Sequence, residues 1–519
     1  MQTALRFDNQ FTNTLPGDPS DENTRRQLHD ALYARVKPTP VKAPYLVAYA
    51  TEVASTLGLS EADCQSSEFL EVFAGNRQLA GMEPHATCYG GHQFGNWAGQ
   101  LGDGRAINLG EVETDTGHYM LQLKGAGPTP FSRTADGLAV MRSSLREFLC
   151  SEAMFHLGVP TTRALSLIGT GESVVRDMLY DGRPEAEPGA VVCRVSSSFV
   201  RFGHFQMLAA RQEHELLEQF LQFVIAREFP HLLRGAGSGV DAYLEFFNEV
   251  CERTADLMVH WMRVGFVHGV MNTDNMSIIG ETIDYGPYGW LEDFDPDWTP
   301  NTTDAANRRY RYGQQPGIGQ WNLMQLANAL LPLIGEAKPL ETVLSGYAKR
   351  YELGWQQMMA NKLGLPAYNE SVVNGVLELL TYAETDMTIF FRQLATIDLT
   401  RPEAYQGLRD AYYVDAQLTP EHRTKTEAWL GLYHDALQAQ RVDDRAPLMN
   451  AVNPQYVLRN YIAQLAIDDA EQGDFVKINE LLEVLRRPYE AQPAFAHYAD
   501  KRPEWARTRV GCSMLSCSS

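Results

Sequence analysis

The alternation of apolar and polar residues is clearest in the second hundred residues. From Tyr119 to Lys124, Tyr119, Leu121 and Leu123 share one side while Met120, Gln122 and Lys124 share the other. That period of two predicts a strand with one buried face. A preceding run, Arg105 to Val112, carries Ile107 and Leu109 on one face, and Asp115-Thr116-Gly117 between the runs reads as a turn. The pair is therefore expected to form a hairpin, with Lys124 at the end of its second strand, pointing away from the leucines. The period then changes. Leu145, Phe148 and Leu149 form a helical stripe within Ser143–Leu157, and Gly158 and Pro160 stop it. A second pair of strands is expected on either side of Asp181-Gly182. Helical spacing returns over Glu213–Phe229 and Asp241–Val264, the latter with Tyr243, Phe247, Val250, Met258 and Trp261 in register and Gly265 at its end.

These periods divide the chain. Residues 1–85 read as an irregular, partly helical lead-in, 86–205 as a glycine-rich region of strands with one key helix, 206–400 as a helical region, and 401–519 as a helical extension with a cysteine-containing tail. The fold class expected is α+β. The chain has 519 residues, 44% of them apolar, which is ordinary globular composition. Its formal charge of −21 argues against nucleic acid or an anionic membrane as partner. No stretch approaches 18 uninterrupted apolar residues and no signal peptide is recognised at the start, so a cytoplasmic protein is expected, with monomer as the default state. Five scattered cysteines fit a reducing compartment. Cys512 and Cys517 in the tail could pair in a redox link or stand as two exposed thiols, and the sequence leaves both open.

In so acidic a chain, basic residues near glycine clusters stand out. Gly99-Gln100-Leu101-Gly102-Asp103-Gly104-Arg105 offers backbone N–H groups and one guanidinium to phosphate oxygens, although a glycine-rich turn before a strand is commonly just a turn. The order that follows adds weight: strand, strand ending in Lys124, helix carrying Glu147. It is the layout in which a protein-kinase N-lobe pairs lysine with glutamate beside nucleotide phosphates. Glu147 also lies three residues after Ser144, the spacing of a capping box. Arg194 and Arg201 either clamp phosphates or belong to surface salt bridges. Farther on, His268 and Asn275 keep the spacing of a kinase catalytic loop, and Asp284-Tyr285-Gly286 stands where such a protein has Asp-Phe-Gly. An amide oxygen and a carboxylate suit a hard divalent ion that also touches phosphates; the alternative is a pair of turn residues. Val270 occupies the position of the usual loop aspartate and accepts no proton. Asp274 is the obvious substitute base, though it could also help hold a metal or cap a turn. No zinc-type Cys/His cluster, P-loop or nucleophile elbow is present.

Five strings carry a resemblance: YGGHQFGNWAGQLGDGRA (89–106), LKGAGPTPFSR (123–133), RSSLREFL (142–149), VRFGHFQ (200–206) and HGVMNTDNMS (268–277). In order and spacing they resemble the selenoprotein O family, called YdiU in bacteria, over essentially the whole chain. The resemblance implies a bilobal, protein-kinase-like pseudokinase fold with N- and C-terminal extensions. It further implies ATP bound end-for-end relative to ordinary kinases, and transfer of AMP to Ser, Thr or Tyr hydroxyls of proteins with Mg2+ or Mn2+. Carried over by position, Gly102, Gly104, Arg105, Asp136 and Gly137 contact the nucleotide. Lys124, paired with Glu147, and Arg194 and Arg201 hold phosphates; Asp274 is the base; Asn275 and Asp284 bind the metal. Two rival readings are a γ-phosphoryl-transferring kinase, against which Val270 speaks, and a non-catalytic nucleotide-binding scaffold, against which the Asn275/Asp284 pair speaks.

Overall fold

The computed structural model of the chain describes residues 1, 5–235 and 239–516. Its strands, in chain order, are β1 (Arg6–Phe7), β2 (Tyr33–Arg35), β3 (Tyr45–Tyr49), β4 (His85–Thr87), β5 (Gly90–Gln93), β6 (Asn96–Gln100), β7 (Ala106–Thr114), β8 (Gly117–Lys124), β9 (Ala139–Val140), β10 (Arg163–Arg176) and β11 (Glu185–Ser196). Nine of them form one antiparallel sheet in the order β2-β4-β7-β8-β11-β10-β3, with β1 added on β7 and β9 on β11. β5 and β6 make a separate hairpin. The expected β7–β8 hairpin is present, with Thr114 paired to Gly117 across a two-residue turn. β10 and β11 are the pair around Asp181-Gly182.

The lead-in departs from expectation. It contributes β1, β2 and β3 to the sheet and ends at β4, so residues read as irregular supply its edges. These strands are two to five residues long. Too short to show a period of their own, they are held by partners far away in sequence, as β3 is by β10.

Strand alternation sorts side chains onto two cores. Leu121 and Leu123 of β8 and Val191, Cys193 and Val195 of β11 pack with Phe69 and Phe73 of the lead-in. Ala190 and Val192, one residue out of phase, face the other way, against α1 (Met141–His156) and its Leu145, Phe148 and Leu149. Lys124 and Arg194 fall on that second side by the same period of two. α1 begins at Met141, two residues before the expected start, with Val140 as its N-cap. Ser144 and Glu147 therefore lie inside the helix, and the capping-box reading of Glu147 does not hold.

Beyond the sheet come α2 (Phe202–Ala210), α3 (His214–Glu228) and α4 (Val240–Val264), the last ended by Gly265 at φ 77°. A left-handed residue there favours glycine. Helices α5 (Gln315–Ile334) and α6 (Ala337–Lys362) pack on α4, and further helices follow. Residues 266–290 lie between sheet and helices, as the short pairing of Phe266–Val267 with Gly289–Trp290 closes a loop that contains Asp274 and Asp284. Among the described residues no helix is long and apolar enough to cross a membrane.

Candidate active site

A cleft of about 640 Å³ lies between the sheet and the 266–290 loop. It is lined by Gly102, Gly104, Arg105, Lys124, Asp136, Gly137, Arg194, Arg201, Asp274, Asn275 and Asp284, residues that span 183 positions of sequence. Of the residues assigned to the site by position, Glu147 alone does not line it. It lies behind Lys124, whose Nζ donates to its Oε2 in a buried pair. Burial pushes the Lys124 ammonium down from its ordinary pKa, with Glu147 opposing that shift.

The pair belongs to a larger network. Arg194 donates from Nη1 to Glu147 Oε1 at 3.2 Å and to Asp284 Oδ1 at 2.6 Å, and from Nη2 to Gln122 Oε1. Arg201 donates to Asp284 Oδ2 and, at 2.9 Å, to the Asp274 carbonyl. Its guanidinium lies over the Tyr89 ring at 4.7 Å and within 3.7 Å of Asp103 Oδ1. Both arginines are buried, at 1% and 2% exposure. They are therefore not members of surface salt bridges. Asp284 thus bridges two guanidinium groups. Burial alone would raise its carboxyl, but Arg201, Arg194 and Lys124 outweigh it and hold the carboxyl far below the usual range. Its backbone sits at φ 61°, a left-handed conformation that Asp tolerates better than most residues.

Asp274 lies in the short 3-10 turn Thr273–Asn275. Its Oδ2 accepts from Gln93 Nε2 at 3.2 Å, and its Oδ1 is buried without a partner. Burial pushes its carboxyl up to about 6. Gly91 makes room for it, since a Cβ there would stand 2.5 Å from Asp274 Oδ1, while Gly203 lets the Gly90 carbonyl approach to where a Cβ would be 2.1 Å away. Asn275 turns its amide nitrogen inward, donating to the Val270 carbonyl at 2.9 Å, and its amide oxygen is left as an acceptor at the cleft. His268 has a scaffolding place: its ring stacks on Trp261 and its Nε2 lies 2.8 Å from the Ile283 carbonyl, tying the Asp274 segment to the Asp284 segment.

The glycine loop and the rim complete the cleft. Gly102, at φ 79°, passes so close to Phe131 that a Cβ would lie 2.5 Å from its ring, and Gly137, at φ 73°, lies against the Gly127 carbonyl. Arg105 makes no ion pair or side-chain hydrogen bond among the described residues, so its charge is free to meet an anion. Asp136 is held by both terminal nitrogens of Arg176 at the rim. Arg133, Arg176 and Asp103 also belong to this lining and were not singled out from sequence. Asp103, between Gly102 and Gly104, read as part of a loop; Gln122 shares a strand face with Lys124, a signal the alternation did contain. Cys512 is buried as a free thiol, and Cys517 lies outside the described residues.

Among the described residues no group of three or more His, Cys, Asp or Glu side chains forms a ready metal cage. The donors on offer are the Asn275 amide oxygen, the Asp284 carboxylate and the unpartnered Asp274 Oδ1. Such a sparse, all-oxygen set fits an ion like Mg2+, which takes one or two carboxylates and completes its shell with water and substrate phosphates.

A family model described as "Protein adenylyltransferase SelO" matches residues 20–486. The chain is 59% identical over 521 residues to a protein of Azoarcus sp. (strain BH72) called "Protein nucleotidyltransferase YdiU", with 99% of each chain covered. Proteins of the same name from Rhodopirellula baltica and Xanthomonas campestris pv. campestris (strain 8004) are 58% and 55% identical, each with both chains fully covered.

Proposed function

Since the chain belongs to the SelO family of protein adenylyltransferases and is a nucleotidyltransferase acting on proteins with ATP as substrate, we propose that this cleft transfers AMP to Ser, Thr or Tyr hydroxyls. The observation that carries the reading is the meeting of two features in one cleft. One is a cluster of cations, Lys124, Arg194, Arg201 and the free Arg105; the other is a buried carboxylate, Asp274, with one oxygen unpartnered. Cations of this kind neutralise a triphosphate. A carboxyl whose pKa stands near 6 is ionised at neutral pH yet basic enough to take a proton.

The acceptor hydroxyl gives its proton to Asp274 Oδ1 as its oxygen attacks the α-phosphorus. The bond from that phosphorus to the α,β-bridging oxygen breaks, and pyrophosphate leaves with the electron pair. Lys124, oriented by Glu147, and the two arginines take up the charge that develops on the phosphates. Asn275 and Asp284 would hold a divalent cation, which supplies further charge neutralisation at the phosphates.

The order hairpin, lysine, helical glutamate, then Asn275 and Asp284, supports a protein-kinase-like bilobal core, with β-rich and helical lobes on either side of the cleft. Two features support an ATP turned end-for-end. The free Arg105 follows the glycine loop, where the distal phosphates would then lie, and Val270 lines the cleft at the place where a kinase has its proton acceptor. Incubation with ATP labelled separately at the α- and γ-phosphates tests the proposal. Acid-stable label on protein is expected from the α position; label from the γ position alone would refute it.

A further inference from the structure

Outside the cleft, the segment from Asn307 to Tyr312 concentrates positive charge: Arg308, Arg309 and Arg311. It is rigidly held. The buried Asp304 accepts from the backbone N–H groups of Arg309 at 3.0 Å and Tyr310 at 2.7 Å. Tyr310 donates its hydroxyl to Asn272 Oδ1 at 2.6 Å and accepts from the Phe94 N–H at 2.9 Å. The segment is thereby tied to the β5–β6 hairpin, which also touches the catalytic loop, through His92 N–H to Thr273 Oγ1 at 2.7 Å and Gln93 to Asp274. Basic segment, hairpin and Asp274 form one hydrogen-bonded layer.

The charges in that segment are not equivalent. Arg311 pairs with Asp297 at 2.8 Å. Arg308 has no ion pair or side-chain hydrogen bond among the described residues, and Arg309 has no ion pair there, its guanidinium meeting the neighbouring Tyr310 and acting through space on Asp304. Arg309 lies over the Trp321 ring at 4.6 Å, with its Nε and Nη2 buried and without partners, and its guanidinium faces Gly95 at the hairpin tip. Arg308 is exposed, in a left-handed conformation at φ 47°. In a chain with 65 acidic residues against 44 basic ones, two adjacent arginines near the candidate base thus have no direct carboxylate partner among the described residues. A stacked, preorganised guanidinium next to an exposed one is matched by carboxylates. Trp97 of the hairpin, 40% exposed, lies 5.1 Å from the His92 ring, which in turn meets Trp321 at 5.5 Å.

We propose that Arg308 and Arg309 are the docking contact for an acidic segment of the acceptor protein. They pair with Asp or Glu side chains near the modified hydroxyl and so bring that hydroxyl to Asp274. This rests on the adenylyl-transfer reading above and adds the class of sequence it acts on. Elsewhere the acidic surface repels such a segment, so the two arginines select both the partner and its orientation.

Two peptides with the same acceptor residue, one flanked by glutamates and one by lysines, test this with α-labelled ATP. The wild type is expected to favour the glutamate peptide about tenfold in kcat/KM, a preference that shrinks as salt is raised. Arg309→Glu should reverse the preference, and Arg309→Gln and Arg308→Glu should reduce it, while ATP binding, measured by titration, stays within about twofold in all three. If Arg309→Glu loses ATP binding through misfolding, the other two variants carry the test. Equal use of both peptides by the wild type, or an unchanged preference in variants that still bind ATP, overturns the inference and leaves adenylyl transfer standing. Absence of any α label on peptide or protein overturns both.

Discussion

Two buried ion networks in this molecule are built from the same residue types and end differently. Far from the cleft, Arg459 donates to both oxygens of Asp386, at 2.7 and 3.2 Å, and to Glu292 at 3.2 Å. Asp386 also accepts from the Ile389 N–H and the Tyr413 hydroxyl, and Glu292 from the Asn460 N–H. No side-chain nitrogen or oxygen of Arg459, Asp386 or Glu292 is buried without a partner. In the cleft, Lys124, Glu147, Arg194, Asp284 and Arg201 form a comparable chain, but Asp274 Oδ1 and the Nε atoms of Arg194 and Arg201 have no partner, and Arg105 carries a free charge. The closed network locks three distant segments together. The open one leaves valences unsatisfied at the cleft, at some cost in stability. A satisfied buried network rigidifies, whereas an incomplete one that opens on a cleft is a candidate site.

The sharpest way to break this comparison is Asp284→Ala. Transfer of the α label should fall by about 10³-fold or more, because the variant removes the proposed metal ligand and the anchor of both arginines. Near-normal activity would mean that the metal site lies elsewhere. Arg459→Leu should leave activity per folded molecule intact while lowering stability by about 3–5 kcal/mol, since Asp386 and Glu292 would remain buried without their cation; the urea midpoint measures it. If Arg459→Leu abolished activity in folded protein, the two networks would not be separable.

Asp274 sharpens the contrast through pH. Its folded pKa is raised to about 6, so the folded state favours the protonated form. The ionised carboxylate therefore adds no cost below about pH 4. The cost grows as pH rises and levels off above about 6, at roughly 3 kcal/mol for a shift of this size. Asp274→Asn should thus be inactive yet melt higher than the wild type at pH 8, with the two converging at pH 4. In the wild type, transfer should decline as pH falls through about 6. A variant that melts lower at pH 8 would contradict the burial argument. The smallest effect is expected at the rim. Asp136→Ala removes a partly exposed pair with Arg176, so stability should change by less than about 1 kcal/mol and KM for ATP by a few-fold.

Much of the site was legible because its residues sit on elements with strong local signals. Lys124 ends an alternating strand, Glu147 rides an apolar helical stripe, and Asn275 and Asp284 keep a loop spacing. Less legible were the edge strands of the lead-in and the partners Gln93 and Asp103. Gln93 lies in a hairpin outside the main sheet, and nothing in its neighbours announces that it reaches Asp274, 181 residues away. Arg308 and Arg309 carry no local signal of their own; Asp304 and Tyr310 pin their segment only in three dimensions.

Local periodicity and motif spacing, which depend only on neighbours along the chain, were enough to determine the β7–β8 hairpin, the main helices, the kinase-like order of the polar residues and the family. Tertiary structure alone decided which charges meet. Arg194 and Asp284 are 90 residues apart, and Arg459 and Asp386 are 73 apart. Whether a buried charge ends up neutralised or left open depends on geometry and desolvation in three dimensions, and the order of residues along a chain does not record either.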